Sequence, residues 1–143
     1  MKGKVQKITV AGLLVLDDKV LVVRRSQNES YLPGYYELPG GKVDFEERPE
    51  TSLEREFLEE VNLHVKTSDP YRVFTYVSDK GKRHTVEIVF LVELKDDIKN
   101  IKLSKAHDAF KWVSREDVDK INMSDEIRTN IIEGFNKFKS EWK

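Results

Sequence analysis

The stretch Arg55-Glu56-Phe57-Leu58-Glu59-Glu60 packs three carboxylates into five residues. At about 100° per helical residue, Glu59 lies roughly 60° to one side of Glu56 and Glu60 roughly 40° to the other. One stripe, about 100° wide, would carry all three. Like charges at i,i+4, such as Glu56 and Glu60, cost an isolated helix about 0.2–0.5 kcal/mol. Two readings of the stripe stand side by side. It is a solvated face with Arg55–Glu59 as a favourable i,i+4 pair, or it gathers hard oxygen ligands of the kind Mg²⁺ or Mn²⁺ takes, with water and substrate phosphates completing the shell. Upstream, Gly40-Gly41 is either an ordinary turn or bare backbone that a ligand approaches closely, its free carbonyl adding a ligand.

The elements that must position these groups follow from periodicity. Leu53, Phe57 and Val61 fall at i, i+4, i+8 and Pro49 suits a first helical residue, so the spacing predicts a helix over 50–61. Asn62 tolerates the left-handed conformation that ends such a helix. Residues 6–15 and 19–25 are rich in Val, Ile and Leu and read as a hairpin across Asp17-Asp18. Residues 26–34 form a polar loop closed by Pro33-Gly34, and 35–38 a short strand. Two strands, 70–78 and 83–94, flank the turn-rich 78–82. Residues 95–106 read as loop, 110–113 as a short strand, and Ser114 as a helix cap. A last helix covers 124–139, capped by Ser124, with Ile127, Ile131, Phe135 and Phe138 on one face. Strands mixed with two or three helices predict an α/β or α+β domain with helices packed on a sheet.

Bulk composition narrows the classes of function. A length of 143 residues suits one domain, 1–143. Basic and acidic residues nearly balance, 25 against 26, so no global field points to nucleic acid or a membrane as partner. Cysteine is absent, which excludes disulfides, thiolate metal sites and cysteine nucleophiles. The N-terminus has no signal-type apolar stretch, and a cytoplasmic protein is expected.

The segment Gly41 to Leu63 resembles the signature box of the Nudix hydrolases. That box runs glycine, five residues, Glu, seven residues, Arg-Glu, an aliphatic-type residue, any residue, Glu-Glu, any residue, Gly, aliphatic. Here Gly41 leads to Glu47, then to Arg55-Glu56, Phe57, Leu58, Glu59-Glu60, Val61, Asn62 and Leu63. Phe57 departs from the aliphatic on a core face. Asn62 departs from the final glycine, and is the next best residue for a left-handed cap.

The resemblance implies a Nudix-type α/β/α sandwich with a mixed sheet and flanking helices. It implies Mg²⁺- or Mn²⁺-assisted attack of water on a nucleoside diphosphate linked to another group. Glu56, Glu59, Glu60 and the Gly40 carbonyl would hold the metal, Arg55 would orient the glutamates through Glu47, and Glu56 would be the base. The Glu37-Leu38-Pro39-Gly40-Gly41-Lys42 run resembles the MutT-type branch, which removes nucleoside triphosphates. Arg25, Glu37, Gly41 and Lys42 would then meet the substrate. The later segment 104–114 resembles the family's Glu-His run, with Ala106 at the glutamate position and Asp108 the nearest acidic substitute. Trp112 reads as core and Asn122 as a cap or turn residue. A small-molecule nucleotide is the expected substrate, and a homodimer the expected assembly from relatives that pair. Hydrolysis of ADP-ribose, a nucleotide sugar or a dinucleoside polyphosphate is the alternative within the enzymes. A nucleotide-binding Nudix module without catalysis is the alternative outside them.

Overall fold

The computed structural model describes residues 3–141. In chain order the elements are β1 (Val5–Leu16), β2 (Lys19–Arg25), β3 (Tyr36–Glu37), β4 (Gly40–Lys42), α1 (Pro49–Val61), β5 (Val65–Ser78), β6 (Arg83–Leu94), β7 (His107–Ser114) and α2 (Asp125–Glu141). β1 is central. It pairs parallel with β6 from Val5↔Arg83 to Leu14↔Val92. On its other edge it pairs antiparallel with β4, where Val10 faces Gly41 and Ala11 faces Gly40. β5 continues the sheet antiparallel to β6. The β1–β2 hairpin is confined to Val15↔Val20 and Leu16↔Lys19, beyond which β2 turns to pair with β3 and β7.

Alternation along β1 separates two cores. Val10 and Leu14 pack with Leu53, Phe57 and Val61 of α1. Ala11, Leu13 and Val15 pack with Ile131 and Phe135 of α2. A period-2 strand presenting apolar residues both ways needs cover on both faces, and the helices supply it from opposite sides. The result is a mixed sheet between helices, the architecture implied by the sequence. No described helix is long and apolar enough to cross a membrane.

The local chemistry behaves as expected at several ends. Asp17 and Asp18 take φ of 50° and 63°, the left-handed pair a tight hairpin turn needs, without a glycine. Pro49 opens α1 and Asn62 ends it at φ 60°, its N–H donating to the Leu58 carbonyl. Ser124 caps α2 by accepting the Ile127 N–H at 3.3 Å.

Elsewhere the structure corrects the sequence reading. β5 begins at Val65 rather than 70, because two register shifts carry the ladder through Asp69-Pro70 instead of breaking it. β7 extends to His107–Ser114, and the 95–106 loop contains a tight helical turn at Ile98–Asn100. Ser114 does precede a helical segment, but its side chain makes no capping hydrogen bond. Its hydroxyl donates to the Asp117 carboxylate at 3.2 Å, and Arg115–Lys120 winds as tight turns.

Candidate active site

The site grows from the contact between β4 and α1. Gly12 N–H donates to the Pro39 carbonyl at 3.0 Å and Val43 N–H to the Ile8 carbonyl at 2.9 Å. In an antiparallel ladder these alternate residues set the phase, which turns the Gly40 amide and carbonyl away from β1. The Gly40 N–H donates instead to Glu60 Oε1 at 2.9 Å. A Cβ on Gly40 would strike the Val10 carbonyl oxygen and come within 2.8 Å of Ala11 Cα, so the strand approach itself demands glycine. A Cβ on Gly41 would lie 2.5 and 2.7 Å from the two carboxylate oxygens of Glu56. Glu56 therefore rests against bare backbone.

Arg55 ties the acidic helix together. Its Nε and Nη2 reach Glu47 at 2.9 and 3.0 Å. Nη1 donates to Glu56 at 3.0 Å and to Glu59 at 3.1 Å. Nη2 also donates to the Lys42 carbonyl at 3.1 Å, fastening α1 to β4. Glu47 in turn accepts from the Ser52 hydroxyl and from the Asp44 N–H. The Arg55 guanidinium, then Ser52, lower the Glu47 carboxyl to about 2. Burial pushes Glu56 up against the pull of Arg55. Burial raises Glu60 well above the usual carboxylate range, opposed by the Gly40 N–H and reinforced by the charges of Glu37 and Glu56.

Among the described residues no three acidic or histidine side chains form a ready-made cation cage. Arg55 holds Glu56 and Glu59, Glu60 is turned to the Gly40 amide, and Glu59 stays 57% exposed. The donor set nevertheless suits a hard divalent cation. Glu56 and Glu60 are neighbouring carboxylates drawn out of water, and buried like charges call for a compensating cation.

A second cluster lies beyond β4. Arg25 Nη1 meets Glu37 at 3.3 Å, and its Nε donates to the Tyr31 carbonyl at 2.5 Å. His107 Nε2 pairs with Glu37 Oε2 at 2.8 Å. Arg25 and Glu37 line a cavity of about 140 Å³ walled by Tyr31, Tyr36, Phe74 and Tyr76. Glu87 lines the same cavity, accepts from the Thr9 hydroxyl at 3.0 Å, and is raised by burial to about 7. Of the anticipated substrate contacts, Arg25 and Glu37 thus share one cavity, whereas Gly41 and the exposed Lys42 sit on β4.

Asp108 stands apart, paired with Arg24 at 2.7 Å. Trp112 packs against the α1-side core. Asn122 contributes its carbonyl, which accepts the Tyr36 N–H at 2.8 Å. Sequence reasoning placed Glu87 and His107 on segments of interest but assigned neither to the site. A signal for Glu87 exists: the alternation of 85–91 puts a carboxylate in line with Thr85, Val89 and Leu91, all facing inward.

Comparisons with known proteins bear on the family and the fold. A family model described as the NUDIX domain matches residues 6–135. A "MutT-like protein" of Streptomyces ambofaciens is 30% identical over 112 residues, 78% of this chain and 66% of its own. An "ADP-ribose pyrophosphatase" of Methanocaldococcus jannaschii is 30% identical over 87 residues, 61% of this chain and 50% of its own. The chain thus spans half to just under two-thirds of the length of these two curated relatives. "Nucleoside triphosphatase NudI" of Klebsiella pneumoniae is 24% identical over 135 residues, 88% and 94% of the two chains. Among solved structures, a MutT protein from Methanosarcina mazei Go1 superposes with a TM-score of 0.80 at 26% identity, over 96% and 98% of the two chains.

Proposed function

Because the chain belongs to the Nudix family of pyrophosphohydrolases, we propose that it is a divalent-cation-dependent nucleoside triphosphate pyrophosphohydrolase. The observation that carries this reading is the Gly40-Gly41 cradle. Glu56 lies where a Gly41 Cβ would be, and Glu60 takes the Gly40 amide. Similarity to relatives named for MutT and for nucleoside triphosphatase activity supports the choice of substrate.

Glu56, Glu59, Glu60 and the Gly40 carbonyl would hold Mg²⁺ or Mn²⁺. Such a cation neutralises phosphate oxygens and acidifies a water. The chain's own residues do the rest. Arg55, fixed by Glu47, orients Glu56 and Glu59. Glu56 is the candidate base for the attacking water. Arg25, braced by Glu37, together with Gly41 and Lys42, contacts the phosphates, while the aromatic cavity takes the base. Water adds to a phosphorus, the anhydride P–O bond breaks, and a nucleoside monophosphate and pyrophosphate leave.

A nucleotide panel with Mg²⁺ or Mn²⁺ and product identification tests the reading. Monophosphate and pyrophosphate from triphosphates are expected, and no phosphate-containing product from any nucleotide would overturn it. A second reading, ADP-ribose hydrolysis, draws on the relative of that name. It would appear as AMP and ribose phosphate as the dominant products.

A further inference from the structure

A cleft of about 490 Å³ opens on the α2 side of the sheet, beyond the end that α2 covers. Lys7, Arg25, Arg83, Ser30 and Ser78 line it, with Asp79 the one acidic lining residue. Register explains the grouping. Val5↔Arg83, Lys7↔Thr85 and Thr9↔Lys42 are partners, so these odd-numbered β1 positions and their partners share a face. Among the described residues neither Lys7, Lys42 nor Arg83 makes an ion pair. The Arg83 Nε is buried without an acceptor. A buried donor beside unpaired like charges is a setting that an anion would satisfy. Partial burial and the charges of Arg83 and Lys42 all push the Lys7 ammonium down, as expected of cations held close together.

The position of the cleft selects its occupant. Ala11 opposes Gly40 and Val5 partners Arg83. Those β1 positions are six residues apart, roughly 20 Å at about 3.3 Å per residue. The Arg83 end of the cleft is therefore too far out to grip the anhydride at Gly40. The cleft is, however, continuous with the aromatic cavity through Arg25, Tyr31 and Tyr76, which line both. A nucleotide whose base enters that cavity brings its sugar to the shared boundary.

We propose that Lys7 and Arg83 form an anion subsite for a phosphate carried on the sugar of the nucleotide, outside the anhydride that is cleaved. The preferred substrates are then nucleotides phosphorylated both at the 5′ position and elsewhere on the ribose. Placing the base rests on the hydrolase reading, but the anion subsite does not.

The test is equilibrium titration in EDTA, where turnover plays no part, of 5′-ADP and the same nucleotide with an added ribose 3′-phosphate. The added phosphate should tighten binding to the wild type by about tenfold or more, the scale of a charge-assisted contact. Lys120→Gln, at an exposed lysine outside the cleft, should keep the preference, and Lys7→Gln/Arg83→Gln should reduce it below about twofold. Lys7→Gln alone removes a lysine from a surface strand and should lose about half the gain in free energy, roughly threefold. Equal binding of the two nucleotides by wild type, or a preference that survives both variants, would overturn the subsite. So would inorganic phosphate binding as tightly as the phosphorylated nucleotide. If the nucleotide panel yields no hydrolysis while the preference depends on Lys7 and Arg83, the hydrolase reading fails and the subsite stands. If hydrolysis is seen without the preference, the subsite fails and the hydrolase reading stands.

Discussion

Gly40→Ala and Gly41→Ala should separate fold from function one residue apart. At Gly40 the new Cβ meets backbone, the Val10 carbonyl and Ala11 Cα, and neither can yield without parting β4 from β1. Overpacking of this kind costs about 1–3 kcal/mol. For a chain of this size that lowers Tm by roughly 3–10 °C. At Gly41 the new Cβ meets the far end of a flexible side chain, at 2.5 and 2.7 Å from the Glu56 oxygens. Contact near 3.5 Å requires the carboxylate to retreat by about 1 Å, at little cost to the fold. A displacement of that size in an active site costs on the order of 10²-fold in rate. Thermal unfolding and cation-dependent release of pyrophosphate, measured on both variants, check the contrast. A Gly41→Ala variant with wild-type kcat/KM would show that Glu56 does not depend on bare backbone at Gly41, and equal losses of Tm in the two would remove the contrast.

Other outcomes follow from the same contacts. The Glu47 carboxyl, lowered to about 2 from 4.5, contributes stability present above about pH 4.5 and lost as pH falls toward 2; Arg55→Met should flatten the Tm–pH curve in that window. Glu87 is raised from 4.5 to about 7, so its ionisation destabilises the fold as pH climbs through that range; Glu87→Gln should raise Tm at pH 8 more than at pH 5. Adding Mn²⁺ at 100 times its Kd should stabilise the wild type by about 2.7 kcal/mol, seen as a rise in Tm that Glu56→Gln/Glu60→Gln abolishes. Asp108→Asn removes a half-exposed pair with Arg24, worth about 0.2–1 kcal/mol; nucleotide turnover should change less than about twofold, and a larger loss would return Asp108 to the catalytic groups.

The acidic helix was legible because its periodicity, its proline start and its Asn62 stop all point one way, and each appears in the structure. The spacing also showed that Arg55 and Glu59 could pair. Where the carboxylates now point was not legible, since the Gly40 amide that turns Glu60 depends on the phase of the β1–β4 ladder. The start of β5 was hidden by Asp69-Pro70, a turn signal that a bulge overrides. Ser114 stands at the start of the tight turns over Arg115–Lys120, but its hydroxyl donates to the Asp117 carboxylate and accepts no capping N–H. His107 reaches Glu37 across 70 residues, and the basic cleft draws its cations from three strands. Such groupings exist only once the register is fixed.

Cation-dependent hydrolysis at the Gly40–Glu60 contact is tested by kcat/KM for cleavage of a nucleoside triphosphate at saturating Mn²⁺, in the wild type and in Glu60→Gln. Glutamine keeps the size of the side chain and an acceptor for the Gly40 N–H, so the fold should persist. A fall of about 10²–10⁴-fold is expected, the scale of removing a group that acts on the reacting phosphate. A Glu60→Gln enzyme that releases pyrophosphate within about threefold of wild type would contradict that role for Glu60.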